Sequence, residues 1–166
     1  TYENLMNGKK ANLVVTDPPY NVAYEGTAGT IQNDSMEDGK FYEFLFSAFK
    51  CMYDVCADGA SIYVFHADKE SINFRTAFRD AGFFCHQTCI WVKNTPVLGR
   101  CDYQYCHEPI LVGWKPTAGH KWYSDRKQRT VWNFDKPKKS ELHPTTKPIP
   151  LVASDTKFKC GQFSYS

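Results

Sequence analysis

Residues Ala11 to Thr16 read ANLVVT, an apolar run rich in branched side chains. So continuous a run predicts a parallel strand buried on both faces rather than a half-exposed strand, which would alternate. The strand ends at Asp17, and Asn21 to Asp38, with Gly26, Gly29 and many small or polar side chains, read as a mobile loop. Phe41, Phe44, Leu45, Ala48, Met52 and Val55 then recur at helical spacing and predict an amphipathic helix stopping near Asp58-Gly59. Ser61 to Phe65 is the next strand. Asp68 is placed to cap a second helix that buries Ile72, the Arg75 stem and Phe78, with Gly82 as its left-handed terminator. Phe83 to Lys93 and Pro109 to Trp114 are strands without a helical pattern between them, which predicts antiparallel pairing. Val131 to Phe134 adds a short edge strand. Two βα units followed by an antiparallel pair make half of an open α/β sheet, a partial Rossmann-like arrangement.

Composition refines this. The 166 residues, 42% hydrophobic and 16% aromatic, can bury one sizeable core. The net charge of +2 hides an asymmetry, because Lys115 to Lys147 holds nine Lys/Arg against three Asp/Glu while the remainder is acidic. One basic face is expected. The seven cysteines include no CxxC pair and read as reduced thiols used in packing. A zinc site from Cys101, Cys106 and His107 is the weaker alternative, since ligand loops come as two short-spaced pairs. No apolar run approaches membrane-spanning length, and the opening Thr1 suggests a cut inside a longer protein.

The stretch with most chemistry is Asp17-Pro18-Pro19-Tyr20, directly after the first strand, where open α/β sheets place their ligand crevice. Each proline restrains the residue before it to extended geometry, so the turn is stiff. An exocyclic amine on a base is a poor nucleophile, and acceptors on both of its N–H groups help as the nitrogen becomes tetrahedral. The Asp17 carboxylate and the Pro18 carbonyl are two such acceptors, and Tyr20 offers a ring on which a base can stack. The electrophile must then be activated already, which points to a sulfonium methyl donor and no metal. The plainer reading is a strand-terminating turn, since Asp and Pro favour turns everywhere.

TDPPYN (Thr16 to Asn21) closely resembles the catalytic motif of the DNA amino-methyltransferases that modify adenine N6 or cytosine N4. The resemblance continues through SIYVFH (Ser61 to His66), IWVKN (Ile90 to Asn94), HEPILVGWK (His107 to Lys115), TVWNF (Thr130 to Phe134) and HPTTKP (His143 to Pro148). This order is similar to the β class, in which the catalytic region precedes the cofactor-binding region, and the initial Asp favours adenine. The resemblance implies S-adenosyl-L-methionine as cofactor, with His143, Thr145 and Lys147 beside it and Asp17 touching its amino group. It also implies that residues 1–153 form the catalytic and target-recognition region. Lys157 to Ser166 has one glycine and no apolar strand, so 154–166 reads as a poorly ordered tail unlike the family. The cofactor-binding half with its Gly-rich turn is expected to be missing, through truncation or a frameshift, leaving the first strand partly uncovered and the domain marginal and aggregation-prone.

Adenine N6 is out of reach inside a duplex, so the base must be flipped. Arg126, Lys127 and Arg129 with Trp122, Tyr123 and Trp132 interleaved combine phosphate-pairing and stacking groups, joined by Arg100 and Lys121. A solvated loop with inward-turned aromatics is the alternative. Asn21 and His66 are further candidates for the DNA side of the crevice, although a lone histidine is more often a packing residue. The loop from Asn21 to Ser35 could close as a lid, and its Asn33-Asp34 pair is equally readable as a turn. Double-stranded DNA is the expected partner, with a separate cofactor-binding half or a restriction endonuclease as further partners and a prokaryotic or phage cytoplasmic setting. The competing reading is an inactive remnant that at most binds DNA.

Overall fold

The structure, a computed structural model, describes residues 6–22, 25–26, 29–30, 34–137 and 147–153. Along the chain lie β1 (Ala11–Thr16), the short β2 (Glu25–Gly26) and β3 (Gly29–Thr30), helix α1 (Asp38–Val55) and β4 (Cys56–Phe65). A 3-10 turn (Asp68–Glu70) leads into α2 (Ser71–Asp80), followed by β5 (Phe84–Val97), β6 (Tyr105–Trp114) and β7 (Val131–Asn133). Residues 149–153 form a last helical turn.

The main sheet has the order β1-β4-β6-β5-β7. β1 runs parallel to β4 and β7 parallel to β5, whereas β6 is antiparallel to both of its neighbours. The expected βα units and antiparallel pair are present, but the hairpin closes inward, so that β6 lies between β4 and β5. The expected short edge strand is present at 131–133, and it joins the outer side of β5.

One sheet face is covered by the two helices. On α1, Phe41, Leu45 and Phe49 form the buried stripe, four residues apart, and Phe44 and Ala48 sit on its shoulders. The helix stops at Val55, earlier than expected, because Cys56 is already extended and opens β4. The Lys115 ammonium compensates that end by donating to the carbonyls of Tyr53 (3.2 Å) and Cys56 (3.1 Å). On α2 the expectation holds for Phe78 and fails for Ile72 and the Arg75 stem. Phe74, Ala77 and Phe78 point inward, while Ile72 is 78% exposed and Arg75 lies on the surface against Thr88. The helix begins at Ser71 after the 3-10 turn, with no side-chain cap from Asp68, and within it Ile72 lies on the side opposite Phe74, Ala77 and Phe78. Gly82 does take the left-handed backbone at φ +108, under the Tyr53 ring.

The second face carries Tyr63, Phe65, Cys89, Trp91, Ile110 and Val112, with Leu151 from the last helical turn packed on it. Among the described residues β1 is an edge strand, and its Leu13, Val14 and Val15 are only half-buried rather than buried on both faces. Near the other end, β5 and β6 approach so closely that a Cβ on Gly113 would collide with the Phe84 carbonyl oxygen. No disulfide joins the six described cysteines, and burial pushes the Cys56 thiol up to about 11. Among the described residues, no group of three His, Cys, Asp or Glu could hold a metal, and no helix is long and apolar enough to cross a membrane.

Candidate active site at the end of the first strand

The Asp-Pro-Pro-Tyr corner follows β1 at the carboxyl ends of the parallel strands β1 and β4. Its shape is held from outside by Asp34, a buried carboxylate that accepts the backbone N–H groups of Tyr20 (2.9 Å) and Val22 (3.3 Å). Asn21 takes a left-handed backbone, φ 56, and its side chain bonds both main-chain groups of Met36. Asn21 is therefore a clasp between the two ends of the loop. Asp34 is more than part of a turn, and Asn33 lies outside the described residues.

Beyond the corner is a cluster of charge. Lys147 Nζ is 3.0 Å from Asp17 Oδ1 and 3.0 Å from Glu108 Oε2. Lys93 Nζ is 2.5 Å from Glu108 Oε1. The Tyr20 hydroxyl lies 2.6 Å from Asp17 Oδ1 and 3.1 Å from Glu108 Oε2. Three members are largely withdrawn from water, whereas the Asp17 side chain keeps 35% of its surface exposed. Burial would raise the Glu108 pKa, but the two lysines outweigh it and hold the carboxyl below its ordinary value. Burial, with Asp17 and Glu108 alongside, pushes the Tyr20 phenol well up, so it stays protonated. A cluster of two carboxylates and two ammonium groups is neutral as a whole, which is what allows it to sit so deep.

The Tyr20 ring is not the open platform expected. It meets Phe74 edge-on at 6.4 Å, and the Lys147 ammonium stands 5.0 Å from its centroid. His66 is likewise not at the surface. It is 1% exposed and stacked on Phe74 at 5.2 Å, so where it stands it cannot touch DNA. Its Nδ1 is 3.0 Å from the Ala67 carbonyl, which can only accept, so Nδ1 carries the proton. Nε2 is then a bare acceptor, buried without a partner among the described residues.

Of the other site residues expected from sequence, Lys147 joins the corner directly, while His143 and Thr145 lie outside the described residues. Lys121, Trp122, Arg126, Lys127 and Arg129 come together in the exposed stretch between β6 and β7. Arg100 does not join them, because it sits in the turn joining β5 to β6, past the far end of β5. Sequence reasoning missed Glu108, Lys93 and Asp34. The signal for the first two was present: a carboxylate at the head of PILVGW and a lysine at the end of IWV are charges on the ends of apolar strands.

A DNA methylase family model matches residues 11–154. Among solved structures, the crystal structure of the M1.HpyAVI-SAM complex is similar with a TM-score of 0.64 and 17% identity, covering 95% of this chain and 69% of that one. The crystal structure of M1.HpyAVI is similar with a TM-score of 0.61 and 17% identity, covering 96% and 70%. No curated protein matches. The structural likeness carries the fold, and the family match, running from the first residue of β1 to just past the last helical turn, spans both the corner and its lysine. The chain belongs to the DNA methylase family.

Proposed function

We propose that this chain carries the amine-activating and DNA-contacting region, residues 1–153, of a DNA adenine-N6 methyltransferase using S-adenosyl-L-methionine. The observation that carries the reading is the partly exposed Asp17 carboxylate at the strand end, on a turn stiffened by two prolines and pinned by Asp34. The family supports DNA as substrate.

The cofactor supplies a methyl group already activated on a sulfonium. Its amino-acid end needs an acceptor for an ammonium and a cation for a carboxylate. Asp17 and Lys147, 3.0 Å apart, are that pair, with His143 and Thr145 as further candidates from the same motif. Asp17 and the Pro18 carbonyl accept the two N–H groups of the target amine, keeping its lone pair directed at the electrophile. Pro19 keeps Pro18 extended. The base reaches the corner flipped out of the duplex and packs against Tyr20. In the arrangement seen, Lys147 covers that ring and occupies Asp17 Oδ1, so admission of the base requires the ammonium to slide toward Glu108.

The test is methyl transfer from labelled donor to an adenine-containing duplex, with and without an added cofactor-binding half. Label on adenine that disappears with Asp17→Ala supports the reading, and label on cytosine overturns the choice of base. DNA binding without transfer in either mixture favours the binding-only remnant. Pull-down of a restriction endonuclease, and a prokaryotic or phage setting, are separate expectations drawn from the family resemblance alone.

A further inference from the structure

On the second sheet face, toward the end of β6 away from the corner, lies a cleft of about 270 Å³. Its floor and walls include Tyr63, His86, Trp114, His120 and Trp132, and its rim includes Arg126 and Arg129. That volume is just below the roughly 300–1,000 Å³ of sites for drug-sized ligands, enough for one flat heterocycle. The rings are arranged as walls: Trp114 stacks on His120 at 4.0 Å, and His86 lies 4.8 Å from Trp114.

The rim is organised. The Trp122 indole donates to the Asp125 carbonyl (2.9 Å) and the Trp132 indole to the Arg129 carbonyl (2.7 Å), tying both ends of the arginine-bearing loop to rings of the cleft. Asp125 turns its carboxylate inward, accepting the Lys127 backbone N–H (2.9 Å) and the Gln128 amide (2.8 Å). The one acid of the loop is thus used within it. Among the described residues, no carboxylate pairs with Arg126 or Arg129, in contrast to the lysines of the corner. Aromatic walls, two uncommitted guanidinium groups, and the amides of Gln87 and Gln128 suit a base with its phosphate.

We propose that this cleft takes one unstacked nucleotide of the DNA strand, its base among the Trp114, Trp132 and His86 rings and its phosphate on Arg126 and Arg129. It is a second nucleotide site, distinct from the corner, and it rests on the reading of the chain as acting on DNA. Val112 of the cleft and Glu108 of the corner are four residues apart on β6, about 13 Å along the strand. That distance corresponds to about four stacked nucleotides, fewer where the strand is stretched. One strand can therefore occupy both places, with the cleft reading a near neighbour of the target.

The experiment walks 2-aminopurine along an oligonucleotide bound to this protein and follows its fluorescence. Quenching confined to one position, about two to four nucleotides from the target adenine, is expected, and it is lost in the Arg126→Ala, Arg129→Ala double variant and in His86→Ala, all at exposed positions. An abasic residue at that position weakens binding roughly 5- to 150-fold. Asp17→Ala leaves the quenching in place. Free 2-aminopurine nucleoside monophosphate is the second arm: quenching by it alone assigns the same site to a free nucleotide and overturns the DNA-strand assignment. Oligonucleotide binding with no quenched position overturns the cleft proposal and leaves the DNA reading standing. Failure of both probes to bind overturns both.

Discussion

The corner and the cleft are built from the same kinds of side chain, yet they treat charge in opposite ways. At the corner, Lys93 and Lys147 are almost wholly buried and each ammonium meets a carboxylate within 3.0 Å. At the cleft, Arg126 and Arg129 are exposed and meet none among the described residues. A buried charge must be neutralised where it sits, so it becomes part of the fold. An exposed one can wait for a partner from outside. Substitutions at the two places should fail in different ways.

The sharpest break should come at Glu108. Glu108→Ala removes the carboxylate between two buried ammonium groups, and breaking such a pair costs about 3–5 kcal/mol. Denaturant unfolding should show most of that loss. Because the Glu108 pKa is held below its ordinary value, its stabilisation is present above that value and fades as pH falls through the lowered one. Stability equal to the parent protein would mean that the cluster is solvated.

Asp17 tests the same cluster from its wet side. Its carboxylate is one-third exposed, so Asp17→Ala should leave the unfolding midpoint nearly unchanged. Loss of one preorganised acceptor should still slow methyl transfer by roughly 10²- to 10³-fold in an assay with cofactor and duplex. A variant that unfolds readily but transfers normally when folded would reverse the assignment.

How far these regions were legible in the sequence follows from the same division. The corner announced itself because Asp17, Pro18, Pro19 and Tyr20 are contiguous and follow an apolar strand. Lys93 and Glu108 meet it only because β6 inserts between β4 and β5, a pairing order that periodicity cannot express, whereas Lys147 was marked by the HPTTKP motif. The basic aromatic stretch was readable as composition, whereas the stacking of Trp114 on His120 depends on how the chain turns after β6. Helix phase failed at Ile72 because Ile72, Arg75 and Phe78 do not lie on one narrow stripe of an α-helix: Phe78 is buried as expected beside Phe74 and Ala77, and Ile72 falls on the opposite side.

His66 lies between the extremes, buried like the lysines but without a charge to neutralise. Burial lowers its pKa, against the weaker pull of the Ala67 carbonyl, so the folded state prefers the neutral ring. The stabilisation from keeping it neutral is complete above the ordinary value of 6.5 and is lost as pH falls through that value toward the lowered one. His66→Phe removes the orphaned Nε2 acceptor, whose burial costs about 1–3 kcal/mol, while keeping a ring against Phe74. Unfolding measured on both sides of the histidine range should show the variant less acid-sensitive than the parent. An identical pH slope would show that His66 is not the group responsible.

The smallest effect on the fold, and the most selective, should come from the arginines. Both are exposed and unpaired among the described residues, so Arg126→Ala and Arg129→Ala should each change stability by no more than about 0.5 kcal/mol. Their contribution should appear only with nucleic acid present. Each phosphate neutralised releases counterions, and the slope of log affinity against log salt becomes shallower by about 0.9 for every contact removed. Because both guanidinium groups are assigned to the same phosphate, the double variant should bind duplex with a slope reduced by about 0.9, measured by titration across a range of salt. A reduced affinity with an unchanged slope would mean that these guanidinium groups shape the cleft without touching phosphate. That result would keep the contrast in burial but remove its consequence, because a cation that waits for a partner and never meets one is only solvated surface.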